Sequence, residues 1–338
     1  MPVLPIRPWP HLPLAALPTP VQSLPRLGKA LGLELWVKRD DLTGLAFGGN
    51  KTRKLAYLLA EALQQGADTV VTAGAAQSNH CRQTAAAAAQ WGLHAILVLA
   101  GEPQDPADAG GNLTLDALFG AEVIWTTWAE RDQRLRQTVE DLRAQGRRPY
   151  LIPYGGSNAL GARAYAEALA ELLDQLSPWP EVIILASSSG GTQAGLVAGA
   201  RLLGYQGTII GISVDQPADV LAARVAALAN DALAHMGRED IHVAATDIHV
   251  EDQYAQPGYG VFTQAEAEAI AMAARLEGLL VDPVYTGRGL AGLIGLARRG
   301  RLPGRRVLFW HTGGTPALFA RAYQADVVRR TRDDAPST

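Results

Sequence analysis

Short runs of β-branched and other apolar residues recur along the chain at 35–38, 69–72, 95–99, 122–125, 150–153, 182–186, 209–214 and 307–310. Between several of them, at 52–65, 131–145, 159–176 and 264–276, apolar residues return every three to four positions among alanines and charges. The first pattern predicts strands covered on both faces, and the second predicts helices with a buried stripe. Their alternation predicts a doubly wound α/β protein, with parallel strands joined by crossover helices. Two glycine-rich segments, GLAFGGN before Lys51 and YGGSNALGA at 154–162, break the alternation. They divide the chain into a large domain of residues 1–50 and 161–338 and a small inserted α/β domain of residues 51–160, with the pocket in the cleft between them. The proline-rich first 30 residues are expected to wrap a surface, and the last dozen to fray.

Composition narrows the function. The chain has 338 residues, 48% of them hydrophobic and 19% charged, which suits a folded protein with a substantial core. Lys and Arg number 30 against 33 Asp and Glu, and no basic block offers a footprint for a phosphate backbone, so nucleic acid is not the expected partner. The single cysteine, Cys81, excludes an internal disulfide and a cysteine-built zinc site. Apolar runs stay well short of the ~20 residues of a membrane helix, and prolines interrupt the N-terminal apolar stretch before a signal core develops. A cytoplasmic protein without a membrane span is expected.

Candidate chemistry lies in six segments. In GGNKTRK, two glycines precede Lys51 and a helix begins at the lysine, where the macrodipole opposes an ammonium and favours a nucleophilic amine. A phosphate loop of the Walker type fails here by one position, because Asn50 stands where that motif needs lysine. In SSSGGTQAG, residues 187–195, a loop of small residues between strand and helix exposes backbone N–H groups that can cradle a phosphate. AGAAQSNHCRQTAAAA also follows a strand and opens a helix, with Ser78, Asn79 and His80 placed to hold a carboxylate. Tyr259 between two glycines and Tyr285 in DPVYTG are loop tyrosines able to exchange protons with a substrate. HTGG at 311–314 ends a strand with a turn that can approach a flat ring, while His311 reads as structural because no partner stands at metal spacing. Taken singly, these also fit a surface lysine, an ordinary turn and an N-cap. Together they compose a site for pyridoxal 5'-phosphate and a small amino acid, with no metal.

GGNKTRKL, AGAAQSNHCRQTAAAAA, SSSGGTQAGL, PGYG, LVDPVYTGRGLAGLI and HTGGTPALF resemble, in order and over nearly the whole chain, the D-cysteine desulfhydrase and 1-aminocyclopropane-1-carboxylate deaminase family. The resemblance implies the tryptophan-synthase β-like fold (fold type II): two open, twisted, mostly parallel sheets with flanking helices, the large domain binding the cofactor. It also implies a homodimer. By the same resemblance Lys51 carries the cofactor beside Asn50, and Asn79 meets the cofactor's phenolic oxygen. Ser189, Gly190, Gly191 and Thr192 hold its phosphate. Ser78, Tyr285 and Tyr259 activate substrate and move protons, with Asn79, His80 and Thr312 around the substrate. Thr286 and Thr312 stand where the deaminases carry glutamate and leucine, the pattern of the desulfhydrase branch. A neutral Thr286 would leave the cofactor's ring nitrogen without a carboxylate partner. The implied reaction is β-elimination from D-cysteine to pyruvate, hydrogen sulfide and ammonia, with Lys51 removing the α-proton and Tyr285 steering the sulfur. L-cysteate sulfo-lyase, the deaminase itself and a non-catalytic cofactor- or amino-acid-binding relative are the alternatives.

Overall fold

The structure is a computed structural model that describes residues 6–333. Its strands are β1 (Val21–Ser23), β2 (Glu34–Arg39), β3 (Thr69–Ala75), β4 (His94–Ala100), β5 (Glu122–Thr126), β6 (Pro149–Leu151), β7 (Val182–Ser187), β8 (Thr208–Ser213), β9 (His249–Glu251) and β10 (Arg306–His311). They form two sheets, one of six strands in the order β1-β2-β10-β7-β8-β9 and one of four in the order β5-β4-β3-β6. Every pairing is parallel except that of β1 with β2. All eight expected apolar runs fall on strands, within a residue or two at each end except that β3 runs on by three residues to Ala75.

The unbroken apolar character of these strands follows from burial on both faces. In the larger sheet, Ile183, Leu185, Leu308 and Trp310 pack under Tyr165, Leu169 and Leu172 of the helix Ala159–Gln175. Their strand neighbours Val182, Ile184, Val307 and Phe309 face Leu290 and Leu293 of the helix Thr286–Arg298 on the other side. The smaller sheet repeats the arrangement, with Val70, Leu97 and Leu99 against Leu55 and Leu58 of the helix Asn50–Gln64. Its other face, with Val71, Ile96 and Val98, packs on Leu135, Val139 and Leu142.

Near the N-terminus, the Leu12 amide donates to Ala56 O at 2.9 Å and that of Ala16 to Thr43 O at 3.0 Å, so this proline-rich segment does run over a surface. The C-terminal expectation needs correcting: the helix Arg321–Asp333 takes in the first part of the last dozen residues, which were expected to fray. Residues 334–338 lie outside the described part.

Candidate active site

Three helices start at one cleft. The helix Asn50–Gln64 begins one residue before Lys51, after Gly49 at φ 130°. The helix Asn79–Gln90 is capped by Ser78, whose Oγ accepts from the Cys81 N–H at 3.2 Å. The helix Gly191–Leu203 follows Gly190, whose φ of 84° admits glycine and strains other residues. Each start leaves backbone N–H groups without intrahelical partners, and the three aligned dipoles make the cleft electropositive.

Lys51, Ser78, Asn79, His80, Gly190 and Tyr285 are among the residues lining this cleft, as are Asn50, Ser189, Thr192 and Thr312. The ends of β3, β7 and β10 thus deliver the segments singled out from the sequence to one place. Burial lowers the Lys51 pKa from 10.5 to about 8, so its amine is far more often unprotonated than that of a surface lysine. Asn50 Nδ2 donates to Thr192 Oγ1 at 2.9 Å, and the Asn50 N–H donates to Thr312 O at 3.0 Å, tying the lysine loop to two of the other segments.

His80 is held well below its usual pKa by burial and by the positive charges of Lys51 and Lys54, so it is a neutral imidazole. Its Nε2 lies 2.8 Å from Thr72 Oγ1, and its Nδ1 has no partner. Tyr285 and Tyr259 share a hydrogen bond of 2.6 Å between their hydroxyls, and burial pushes both phenols well above their usual range. Both therefore keep their protons. Tyr259 is outside the lining and reaches the cleft through Tyr285.

Gly191 and Thr286 are also outside the lining. The Gly191 N–H donates to Ser157 Oγ at 3.2 Å. Thr286 Oγ1 donates to Asp282 Oδ1 at 2.7 Å and accepts from the Asp282 N–H at 2.8 Å, so its hydroxyl is spent closing the turn before the helix Thr286–Arg298. His311 is structural as expected, with Nε2 2.8 Å from Leu280 O and Nδ1 accepting from the Gly313 N–H at 3.1 Å. No cluster of metal-ligating side chains occurs among the described residues.

Three groups around the cleft went unread in the sequence. Lys54 follows Lys51 by three positions, which is one helical turn on the same face. Its Nζ donates to Gly155 O at 3.3 Å and to Ser157 Oγ at 3.2 Å, directly behind the glycine loop. A Cβ on Gly191 would stand 2.5 Å from Ser157 Oγ and 3.0 Å from Lys54 Nζ, so only glycine lets the loop approach this pair. Burial and the nearby Lys51 charge push Lys54 well towards its neutral form. Tyr154 lines the cleft with the Arg131 guanidinium 4.4 Å above its ring. Both Ser157 and Tyr154 belong to the YGGSNALGA segment, which carried only a domain boundary in the sequence reading. The Lys51–Lys54 spacing was the signal available.

The arrangement suits an aldehyde that also carries a phosphate. Ser187 Oγ and Ser188 Oγ line the cleft, buried and without hydrogen-bond partners, beside a glycine cradle, a helix start and the buried amine of Lys54. A phosphate satisfies that donor set, and a buried amine of lowered pKa captures a carbonyl.

Comparison with known proteins agrees. The family model described as "Pyridoxal-phosphate dependent enzyme" matches residues 12–313. Proteins named D-cysteine desulfhydrase from Salmonella typhi and Salmonella enteritidis PT4 are each 42% identical to the chain over 327 residues, covering 95% of it and 98% of the relative. A crystal structure described as an ACC deaminase homologue superposes with a TM-score of 0.88 at 37% identity, over 95% of this chain and 96% of that one. The processed form of threonine deaminase isoform 2 from Solanum lycopersicum shares the fold, with a TM-score of 0.66 at 14% identity over 94% of this chain and 84% of that one.

Proposed function

Because the chain belongs to the pyridoxal-phosphate dependent enzymes, we propose that it is a carbon–sulfur lyase that converts D-cysteine to pyruvate, hydrogen sulfide and ammonia. The observation that carries this reading is the buried Lys51 amine, lowered to about 8, at the meeting point of three helix starts and a glycine cradle. Bound pyridoxal phosphate supplies an electron-withdrawing ring that stabilises negative charge at the substrate α-carbon.

The chain's own groups do the rest. Lys51 would hold the cofactor, and its free amine would be the base for the α-proton. Gly190, Thr192 and Ser189 would hold the phosphate, with Gly191 as the position without a Cβ that lets the loop close on Ser157, and Lys54 as its cation. Asn50 braces Thr192. Ser78 offers a donor to the substrate carboxylate and Asn79 one to the cofactor's phenolic oxygen, while the neutral His80, whose Nε2–H is spent on Thr72, presents Nδ1 as an acceptor beside the substrate. Tyr285, kept protonated by burial and backed by Tyr259, donates to the departing sulfur. Thr286 adds no carboxylate beneath the cofactor ring, which favours loss of a good leaving group over opening of a cyclopropane. Residues 51–160 form the smaller unit, and the cleft lies between it and the larger one.

A homodimer in the cytoplasm is the assembly we infer. Exposed Phe47, Leu118 and Phe319 offer apolar contact area for a second copy, and the lone cysteine is a buried free thiol. Among the described residues no helix is long and apolar enough to cross a membrane.

Release of the 2-oxo acid (pyruvate, or 2-oxobutyrate from the cyclopropane) and of sulfide or sulfite should be measured with D-cysteine, L-cysteine, L-cysteate and 1-aminocyclopropane-1-carboxylate. Preference for D-cysteine is expected, with borohydride fixing the cofactor on Lys51. Efficient turnover of the cyclopropane with D-cysteine ignored overturns the assignment.

A further inference from the structure

Asn79 has an amide whose orientation is not free. Its Oδ1 accepts from Arg82 Nη1 at 2.9 Å and from Asn112 Nδ2 at 3.2 Å. Arg82 carries donors only, so the oxygen of Asn79 must face it and the NH2 group must face away. Asn79 lines the cleft, and its NH2 is the group left for a ligand there.

Arg82 and Asn112 are themselves pinned. The guanidinium donates through Nη1 to Asn112 Oδ1 at 2.8 Å and through Nη2 to Gly48 O at 2.6 Å, in the loop that leads to Lys51. Burial lowers the Arg82 pKa to about 10, so it remains charged at neutral pH. Asn112 is fully buried, and its polar groups leave it one orientation. Its Oδ1 accepts from Arg82 Nη1, its Nδ2 donates to Gln77 O at 3.0 Å, and its own N–H donates to Gln77 Oε1 at 2.7 Å. A backbone carbonyl at one end and a guanidinium at the other, neither reversible, fix both amides between them.

We propose that Arg82 and Asn112 are positioning residues that hold the Asn79 NH2 as a hydrogen-bond donor aimed at the phenolic oxygen of the cofactor, and that they couple this donor to the Lys51 loop. This rests on the cofactor site proposed above. A donor at the phenolic oxygen stabilises its anion and so holds down the proton affinity of the nitrogen conjugated with it. Freed from Asn112, the Asn79 amide loses one of its two constraints and the donor weakens.

The test is a pH titration of the visible absorption band of the lysine-bound cofactor in wild-type holoenzyme and in Asn112→Leu and Asn112→Ser, with melting temperatures measured in parallel. The Ser variant, small and polar, covers the case in which the Leu variant does not fold. The band's midpoint is expected to rise by about half a pH unit, because the donor is weakened while Arg82 still holds Asn79. Asn79→Asp, which presents an oxygen where the NH2 stood, should shift it further in the same direction. A folded Asn112 variant with the wild-type midpoint overturns the proposal, whatever its stability. A wild-type protein without the band, or one whose reduced cofactor maps away from Lys51, overturns the functional reading instead.

Discussion

Lys51 and Lys54 project from the same helix face one turn apart, and both are driven towards the neutral amine, the first by burial and the second by burial plus the first. Capture of pyridoxal phosphate by cofactor-free protein needs the unprotonated Lys51, so its rate should rise with pH through a midpoint of about 8 rather than 10.5, as stopped-flow absorbance would record. Lys54 behaves in the opposite sense. A phosphate placed beside it favours the ammonium, so binding takes up a proton and restores a charge that burial alone disfavours. Lys54→Met should weaken cofactor binding by ~1.5–3 kcal/mol, the value of one charge-assisted hydrogen bond, while turnover at saturating cofactor suffers less. Titrating the variant with cofactor and following enzyme-bound absorbance measures this. Lys51 was legible because two glycines and a helix start surround it. Lys54 reads as one more polar residue of an amphipathic helix, and its role emerges only when the Gly155–Ser157 turn folds back on it.

The glycine loop and the helix Gly191–Leu203 work as one element, with Gly190 in a left-handed conformation turning the strand β7 into the helix. Gly191→Val places side-chain atoms on Ser157 and Lys54, where a Cβ alone already comes within 2.5 Å of Ser157 Oγ. Thr192→Ala removes only the hydroxyl that Asn50 holds. Cofactor dissociation constants should therefore rise steeply for Gly191→Val and by about tenfold for Thr192→Ala, with far-UV circular dichroism unchanged in the second. The long strands were legible because runs of about four to six apolar and β-branched residues, bounded by polar ones, leave few alternatives. The three-residue strands β1 and β9 were not, since VQS and HVE are too short for any period to register. The DPVYTG turn shows a different limit. Its Asp282 was quoted without a role, yet its carboxylate accepts from the backbone N–H groups of Val284, Tyr285 and Thr286, and so sets where Tyr285 points.

At the scale of the whole molecule, one buried carboxylate joins the parts that frame the cleft. Asp40, just past β2, accepts from Thr19 Oγ1 at 2.9 Å, Tyr165 Oη at 2.6 Å, Trp310 Nε1 at 2.8 Å and the Arg53 guanidinium. These partners hold its carboxyl below the usual 3.8, against the opposing effect of burial. A depressed folded-state pKa stabilises the protein fully above the ordinary carboxylate range and is lost as pH falls through and below it. Asp40→Asn should cost about 3 kcal/mol at neutral pH, because Arg53 then keeps only Glu171 as an anionic partner. The variant should also lose part of the wild type's acid-induced weakening between pH 5 and 3, as urea titrations across that range would show. Alternation of strand and helix foretold parallel strands joined by crossover helices, and the resemblance implied two sheets, but neither gave the strand order, because hydrophobic pattern carries no information about which strands become neighbours. That order has a temporal side. The smaller sheet is made from consecutive chain, 69–151, whereas β10, last to be synthesised, lies between β2 and β7 in the middle of the larger one. On the ribosome, then, the smaller sheet can assemble while β2 and β7 still wait with bare, apolar edges for a strand not yet made. Nascent chains arrested after residue 250 should resist protease across 69–151 and be cut within 182–213, and this cell-length interval of exposure is the price the fold sets on placing HTGG beneath the cleft.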